Sequence, residues 1–196
     1  ARFGLEQDRY VLFVGRLVPE NGAHHLVEAF RKLETDLKCV IVGDAPYAEE
    51  YIRGLRQLAE GDPRIVFTGY VFGRGYAELG SNARIFVETS GVGGTHPALV
   101  EAMAFGSCVV VNDHAENVET IGEAGLAYDG QVGADSLRPI LDQLLGDPDE
   151  VTRLRQLARE RAQVRYTWEA VTDAYERLFY QVLKRPLPAS LSQDGV

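Results

Sequence analysis

Tyr10-Val11-Leu12-Phe13-Val14-Gly15-Arg16 is an unbroken apolar block that stops at a glycine and a cation. A strand with one wet face alternates apolar and polar residues. A solid run implies a strand covered on both faces, as in a parallel sheet. The same design returns at Cys39-Val40-Ile41-Val42 before Gly43-Asp44, at Ile65-Val66-Phe67 before Gly69, at Ile85-Phe86-Val87, at Cys108-Val109-Val110-Val111 and, more briefly, at Leu126-Ala127-Tyr128. Helical spacing fills the intervals. From Glu20 to Leu33 it places Ala23, Leu26, Val27, Phe30 and Leu33 on one face, and Tyr47 to Ala59 follows the same period up to the turn Gly61-Asp62-Pro63. Gly73 to Gly80 reads as a short, weak helix or a loop, and Pro97 to Phe105 as a helix closed by Gly106, a residue suited to the left-handed position after a helix. A short helical piece near Glu116 to Ile121 comes next, then longer helices at Ala134–Leu145, Pro148–Val164 and Trp168–Lys184. Strand alternating with helix implies right-handed βαβ units, hence an α/β fold with a doubly wound, Rossmann-like parallel sheet.

The chain has 196 residues, 45% of them hydrophobic and 25% charged, enough for one substantial core and inconsistent with disorder as the main state. Its net charge of −9 argues against a general nucleic-acid or anionic-membrane binder, although a local cationic pocket remains compatible with it. Cys39 and Cys108 each sit in an apolar run and read as buried strand thiols. No apolar run approaches the roughly 20 residues of a membrane span. Arg2, Glu6, Asp8 and Arg9 interrupt the start, so no signal peptide is read there and a cytoplasmic setting is expected. Residues 1–185 are expected to form one domain, and the Pro-, Ser- and Gly-containing residues 186–196 a tail.

On doubly wound sheets, ligands bind beyond the carboxyl ends of the strands. Four loops lie there: Gly15-Arg16, Gly43-Asp44, Gly69-Tyr70-Val71 and Ser90 to Thr95. In the last, Gly91-Val92-Gly93-Gly94-Thr95-His96-Pro97 leaves a strand and opens a helix. Thr95 is a suitable cap, and Pro97 suits the first helical turn. The N–H groups around Gly94, Thr95 and His96 would then face an anion, assisted by the helix dipole. A plain tight turn accounts for the same residues equally well. Glu101 lies one turn inside that helix among Val100, Ala102, Met103 and Ala104, where a carboxylate needs a partner. By spacing alone an ion pair or a solvated position comes first; a ribose diol also fits. Arg16 carries a planar fork suited to a diphosphate.

Taken together, these segments resemble the C-terminal, donor-binding domain of family 4 glycosyltransferases of the GT-B fold, a single GT-B half with extra C-terminal helices. Gly15-Arg16-Leu17-Val18-Pro19-Glu20-Asn21 resembles the family's first strand exit, Gly69-Tyr70-Val71 its base-contacting loop, and Gly93-Gly94-Thr95-His96-Pro97-Ala98-Leu99-Val100-Glu101-Ala102-Met103-Ala104 its donor-site helix. Glu119 with Gly122, Ala124 and Gly125, and Trp168-Glu169, resemble later family segments. The resemblance implies that Arg16 binds the diphosphate, Glu101 accepts from the ribose hydroxyls, and Arg16 and Glu101 are the residues on which transfer depends. It implies that the backbone of Gly15, Gly93, Gly94 and Thr95 meets the diphosphate and sugar, that Tyr70 and Val71 lie beside the base, and that His96 contacts sugar or phosphate. The family's first paired glutamate would fall eight positions before Glu101, where Gly93 stands, and its usual lysine falls on Asn21. Both changes resemble a rhamnosyltransferase-like branch and favour a deoxyhexose donor.

The reaction implied is transfer, with retention, from a UDP-, dTDP- or GDP-sugar to a glycan or lipid-linked acceptor. The nucleotide sugar is a substrate, and neither a cofactor nor a metal is needed. The acceptor domain of a GT-B enzyme would precede Tyr10; it is expected to be missing, leaving a half that binds nucleotide and turns over little sugar. Asp147-Pro148-Asp149 spells a D-x-D pattern but reads as a turn and helix cap. Arg153, Arg155, Arg159, Arg161 and Arg165 read as a solvated helix, with peripheral contact at the inner membrane face as the secondary expectation. The final helix is expected to pack on the core, with some apolar surface left over. Three alternatives stand beside this reading. A nucleotide-sugar epimerase would use the same site without an acceptor. A dinucleotide oxidoreductase requires G-x-G-x-x-G after the first strand, which Gly15-Arg16-Leu17-Val18 lacks. A non-catalytic receiver-like domain predicts an acidic cluster at the strand ends.

Overall fold

The computed structural model describes residues 3–188 and 191. The chain runs β1 (Tyr10–Val14), α1 (Ala23–Arg31), β2 (Lys38–Val42), α2 (Glu49–Leu58), β3 (Ile65–Gly69), α3 (Gly73–Asn82), β4 (Ile85–Glu88), α4 (Pro97–Phe105), β5 (Cys108–Asn112), α5 (Ala115–Ile121) and β6 (Gly125–Tyr128), then α6 (Ala134–Gly146), α7 (Pro148–Arg165) and α8 (Trp168–Val182). The strands form one sheet in the order β3-β2-β1-β4-β5-β6, every neighbouring pair parallel. This is the doubly wound, Rossmann-like arrangement expected from the solid apolar runs. Two apolar layers account for those runs. One face buries Val11, Phe13, Cys39, Ile41, Ile85, Val87, Cys108 and Val110 under α1 and α6. The other buries Tyr10, Leu12, Val40, Val42, Phe86, Val109 and Val111 against Leu99 and Met103 of α4 and Ala158 of α7. Cys39 and Cys108 are fully buried and unpaired, as their setting implied.

Several expectations are corrected. The run from Glu20 to Leu33 is not one helix: a 3₁₀ turn, Pro19–Asn21, precedes α1, and Gly22 separates them at φ 64. A Cβ on Gly22 would stand 2.7 Å from the Thr89 carbonyl oxygen, so glycine alone permits this approach of the α1 start to the β4 exit. The weak segment at Gly73 is a ten-residue helix, α3, held by tertiary packing: Gly80 lies against the Phe105 ring. The helix α8 has no buried residue among those described; Trp168 is 85% exposed and Phe179 59%. Core packing, expected there, is absent over its described length.

The arginines of α7 are not simply solvated. Arg155 donates through Nη2 to the carbonyls of Ala83 at 2.8 Å and Arg84 at 3.2 Å. Arg159 donates to Phe105 O at 3.2 Å, at the C-terminus of α4, where a cation is favoured by the helix dipole. Arg161 donates to Glu119 O at 2.6 Å and Thr120 O at 2.7 Å, and Arg153 pairs with Glu150. Asp147 caps α7, its side chain accepting from the Glu150 N–H at 2.9 Å, as the turn-and-cap reading of the D-x-D pattern required. No helix among the described residues is long and apolar enough to cross a membrane. Of the expected tail, residues 189, 190 and 192–196 lie outside the described residues.

Candidate functional site

The chain starts in the middle of the sheet, builds outward through β2 and β3, and then returns to lay β4 on the other side of β1. Loops leaving β1 and β4 therefore depart in opposite directions, which opens a crevice at the carboxyl edge between them. The pairing shows it directly. β1 and β4 are in register only at Val11↔Ile85 and Leu12↔Phe86, whereas β4 stays paired with β5 as far as Glu88↔Val111. Beyond Leu12 and Phe86 the two strands part around a cavity of about 130 Å³ lined by Phe13, Val14, Gly15, Asn21, Glu88, His96, Pro97 and Ala98.

Backbone and side-chain hydrogen bonds fix the rim of this gap. Gly15 N–H donates to Val42 O at 3.0 Å, and Gly43 N–H to Gly69 O at 3.0 Å, so three glycines carry the β1, β2 and β3 pairing past the strand ends. Asn21, at the position of the family's lysine, has a structural task. Its Nδ2 donates to Arg16 O at 2.9 Å, and its Oδ1 accepts from the Ser90 hydroxyl at 3.4 Å. It thereby clips the β1 exit to the β4 exit. From the far side, Asn112 Nδ2 donates to Thr89 O at 3.2 Å and Asn117 Nδ2 to Ser90 O at 2.8 Å. Thr89, Ser90, Asn112 and Asn117 are all buried, so these bonds form away from water, where leaving them unmade would be costly.

The glycine-rich loop then enters α4. Its cap is His96, with φ −82 and ψ 120, and not Thr95; no side chain caps this helix, and Pro97 takes the first position. The His96 carbonyl accepts from Leu99 and Val100, leaving the N–H groups of Gly93, Gly94, Thr95, His96 and Ala98 without a protein acceptor among the described residues. Gly93, Gly94 and Thr95 are exposed, and Gly93 adopts φ 95. Burial lowers the His96 pKa, partly opposed by its hydrogen bond to the Val92 backbone, so the imidazole is neutral at pH 7.

The remaining predicted residues are spread along the same edge. Arg16 is exposed, and its Nη1 lies 3.4 Å from the Tyr47 hydroxyl, on the β2 side of the gap. The Tyr70 hydroxyl donates to Asp44 O at 3.2 Å, and its ring stacks on Phe72 with centroids 5.8 Å apart. Val71 turns instead toward Tyr10 and Leu79, in a pocket with Gly75. Glu101 is exposed on α4 and accepts a hydrogen bond from the Tyr76 hydroxyl of α3. Burial, then the Glu101 carboxylate, raises the Tyr76 pKa. The structure thus brings Gly15 and His96 to one cavity, whereas Arg16 and Glu101 are not among its lining residues and are engaged instead with Tyr47 and Tyr76.

One residue of the cavity escapes a reading of the sequence. Glu88 ends β4 and is 4% exposed; its Oε1 accepts from the Ser90 N–H at 3.0 Å. Burial pushes its carboxyl up to about 7, the Ser90 bond pulling the other way. A signal is present all the same: a carboxylate closes the apolar run Ile85-Phe86-Val87 at the edge where ligands bind.

The six-stranded parallel sheet with its flanking helices is a Rossmann-like α/β domain of the form found in GT-B glycosyltransferases. Residues 2–161 match the family described as glycosyl transferases group 1, and the chain belongs to that family. It is 27% identical over 195 residues to the alpha-maltose-1-phosphate synthase of Mycolicibacterium smegmatis, covering 93% of this chain and 50% of the relative. Among solved structures, sucrose-phosphate synthase from Thermosynechococcus elongatus superposes with a TM-score of 0.81 at 28% identity, covering 93% of this chain and 48% of that one. HepE of Anabaena, crystallised in complex with UDP-glucose, superposes at 0.77 with 21% identity over 90% of this chain and 48% of that one, a likeness of fold. The chain spans about half the length of the relatives it matches.

Proposed function

We propose that the chain is the nucleotide-sugar-binding half of a retaining glycosyltransferase that moves a hexose or deoxyhexose from an NDP-sugar to a glycan or lipid-linked acceptor. The observation that carries the reading is the run of amides at Gly93, Gly94, Thr95, His96 and Ala98 with no protein acceptor among the described residues, at the entry to a helix that lines the gap between β1 and β4, together with the exposed Arg16 guanidinium just after β1. Such a set matches the charge that grows on a departing diphosphate, and fixed dipoles need no reorganisation as it grows. Glu101, held in place by Tyr76, is offered to the ribose, and Tyr70 beside the β3 exit to the base. Gly93, where the family's first glutamate would stand, supports a deoxyhexose donor of the rhamnosyltransferase-like kind. The UDP-glucose complex of HepE supports a UDP-sugar as the first donor to try.

Acceptor binding then belongs to sequence outside these residues. Joining donor and acceptor in one geometry supplies much of the rate of a two-substrate reaction. The 196-residue chain is therefore expected to bind nucleoside diphosphates and to transfer little sugar. Calorimetric titration with UDP, dTDP and GDP tests this: saturable heat with at least one is expected. A folded sample giving none would refute the reading.

A further inference from the structure

We propose that Glu88 is a sugar-recognition residue: its Oε2 meets a hydroxyl of the transferred sugar as that group settles into the gap between β1 and β4. The inference rests on the donor-site reading above and extends it to a residue outside the family motifs. Glu88 is 4% exposed, and among the described residues only its Oε1 has a protein partner, the Ser90 N–H. Oε2 accepts no hydrogen bond from the described residues and is not one of the sealed, unpartnered buried atoms; Glu88 lines the cavity with Asn21 and His96. A buried carboxyl with one oxygen unmatched is costly unless a ligand or water completes it.

The lining selects the ligand. It contains no Lys or Arg among the described residues, so a phosphate oxygen placed there would face a carboxyl without a counter-charge. Phe13, Val14 and Pro97 supply apolar surface, while Glu88, Asn21 and His96 supply acceptors and donors. That mixture suits the C–H and O–H faces of a pyranose. At about 130 Å³ the cavity holds one hydroxyl-bearing edge of a hexose and not the whole ring. Burial raises the Glu88 pKa to about 7, so a large share of the carboxyl is protonated near neutrality and can both donate to and accept from such a hydroxyl. With Gly93 in place of the family's glutamate, Glu88 would supply the carboxyl that position 93 lacks.

The test compares ligands with and without the sugar. The chain, its Glu88→Leu variant and its Glu88→Gln variant are titrated with UDP, dTDP and GDP, and with UDP-glucose, dTDP-rhamnose and GDP-mannose. For the nucleotide sugar that the wild-type chain prefers, Glu88→Leu is expected to weaken binding roughly tenfold, the loss of one hydrogen bond to a carboxyl. Glu88→Gln, which keeps a donor and an acceptor, loses less, and the bare diphosphate binds all three proteins within about twofold. Equal losses for diphosphate and sugar nucleotide, or no loss for either, would overturn the assignment. A wild-type chain that binds no nucleotide at all would overturn the donor-site reading itself, and this inference with it.

Discussion

The buried carboxyl of Glu88 gives the fold a pH dependence that one substitution removes. Its pKa rises from 4.5 to about 7, chiefly through burial. Below the lower value both the folded and unfolded chains hold the proton, and Glu88 imposes no charge penalty. Between the two values the native state keeps a proton that the unfolded chain has released. The unfolded state then binds fewer protons, so stability falls as pH rises through this window. Above pH 7 the native carboxylate is ionised in a place that disfavours it. Each tenfold change in proton affinity between the folded and unfolded chains is worth about 1.4 kcal/mol. The resulting penalty is about 2–3 kcal/mol once the opening of Oε2 to the cavity is allowed for. Glu88→Gln keeps the shape and removes the titration. Urea denaturation of both proteins between about pH 4.5 and 8 measures the difference in unfolding free energy. The variant should gain about 2–3 kcal/mol relative to wild type across that range, with the gain complete near pH 7. His24, His25 and His96, whose pKa values burial lowers, destabilise both proteins as pH falls and cancel in the difference. A difference that stays flat with pH would show that Glu88 is better solvated than its burial implies.

Two further outcomes follow from the rim of the site. Arg16→Ala should weaken nucleoside diphosphate binding roughly ten- to hundredfold, the range for a charge-assisted hydrogen bond, while the thermal midpoint stays put because the Arg16 side chain is exposed and its one hydrogen bond among the described residues is a 3.4 Å contact with Tyr47; calorimetry alongside thermal denaturation checks both. Glu101→Leu should remove the preference for UDP over its 2′,3′-dideoxy analogue, roughly tenfold in the wild type for a diol donating to a carboxylate; an unchanged preference would remove Glu101 from the ribose subsite.

Much of the fold is legible because its strands are buried on both faces. Tyr10–Val14 and Cys108–Val111 are solid apolar runs, as a strand covered on both faces requires. Gly106 adopts φ 78 at the end of α4, the left-handed conformation that a glycine after a helix implies. What stays hidden depends on partners far away in sequence. Spacing spreads Arg155, Arg159 and Arg161 over more than one face of α7 and suggests solvated side chains, because it does not reveal that the carbonyls of Ala83, Phe105 and Thr120 lie opposite. α3 carries Gly73, Gly75 and Gly80, poor helix formers, and exists because Gly80 lets Phe105 pack against its backbone. The polar residues that close apolar runs, Glu88 and Asn112, look in the sequence like ordinary strand ends. Yet in a sheet of this kind a polar group at the carboxyl end of a buried strand is already placed at the ligand.

On the proposed donor-site reading an acidic protein would have to grip a diphosphate, an apparent conflict, since a net charge of −9 repels anions at long range. The local arrangement answers it without many cations. Arg64, Arg84, Arg153 and Arg155 are engaged by carboxylates, and Arg159 and Arg161 by carbonyls. The gap between β1 and β4 relies instead on amides, which add positive potential and no net charge. Glu88, lying under those amides, would spoil the potential if it were ionised. Burial raises its pKa to about 7, and a bound diphosphate, by adding negative charge nearby, would raise it further and favour the protonated form. On this reading the carboxyl and the anion site are compatible to the extent that the carboxyl takes up a proton when the anion arrives. Widening the cavity to admit bulk water would ionise Glu88 and weaken diphosphate binding together.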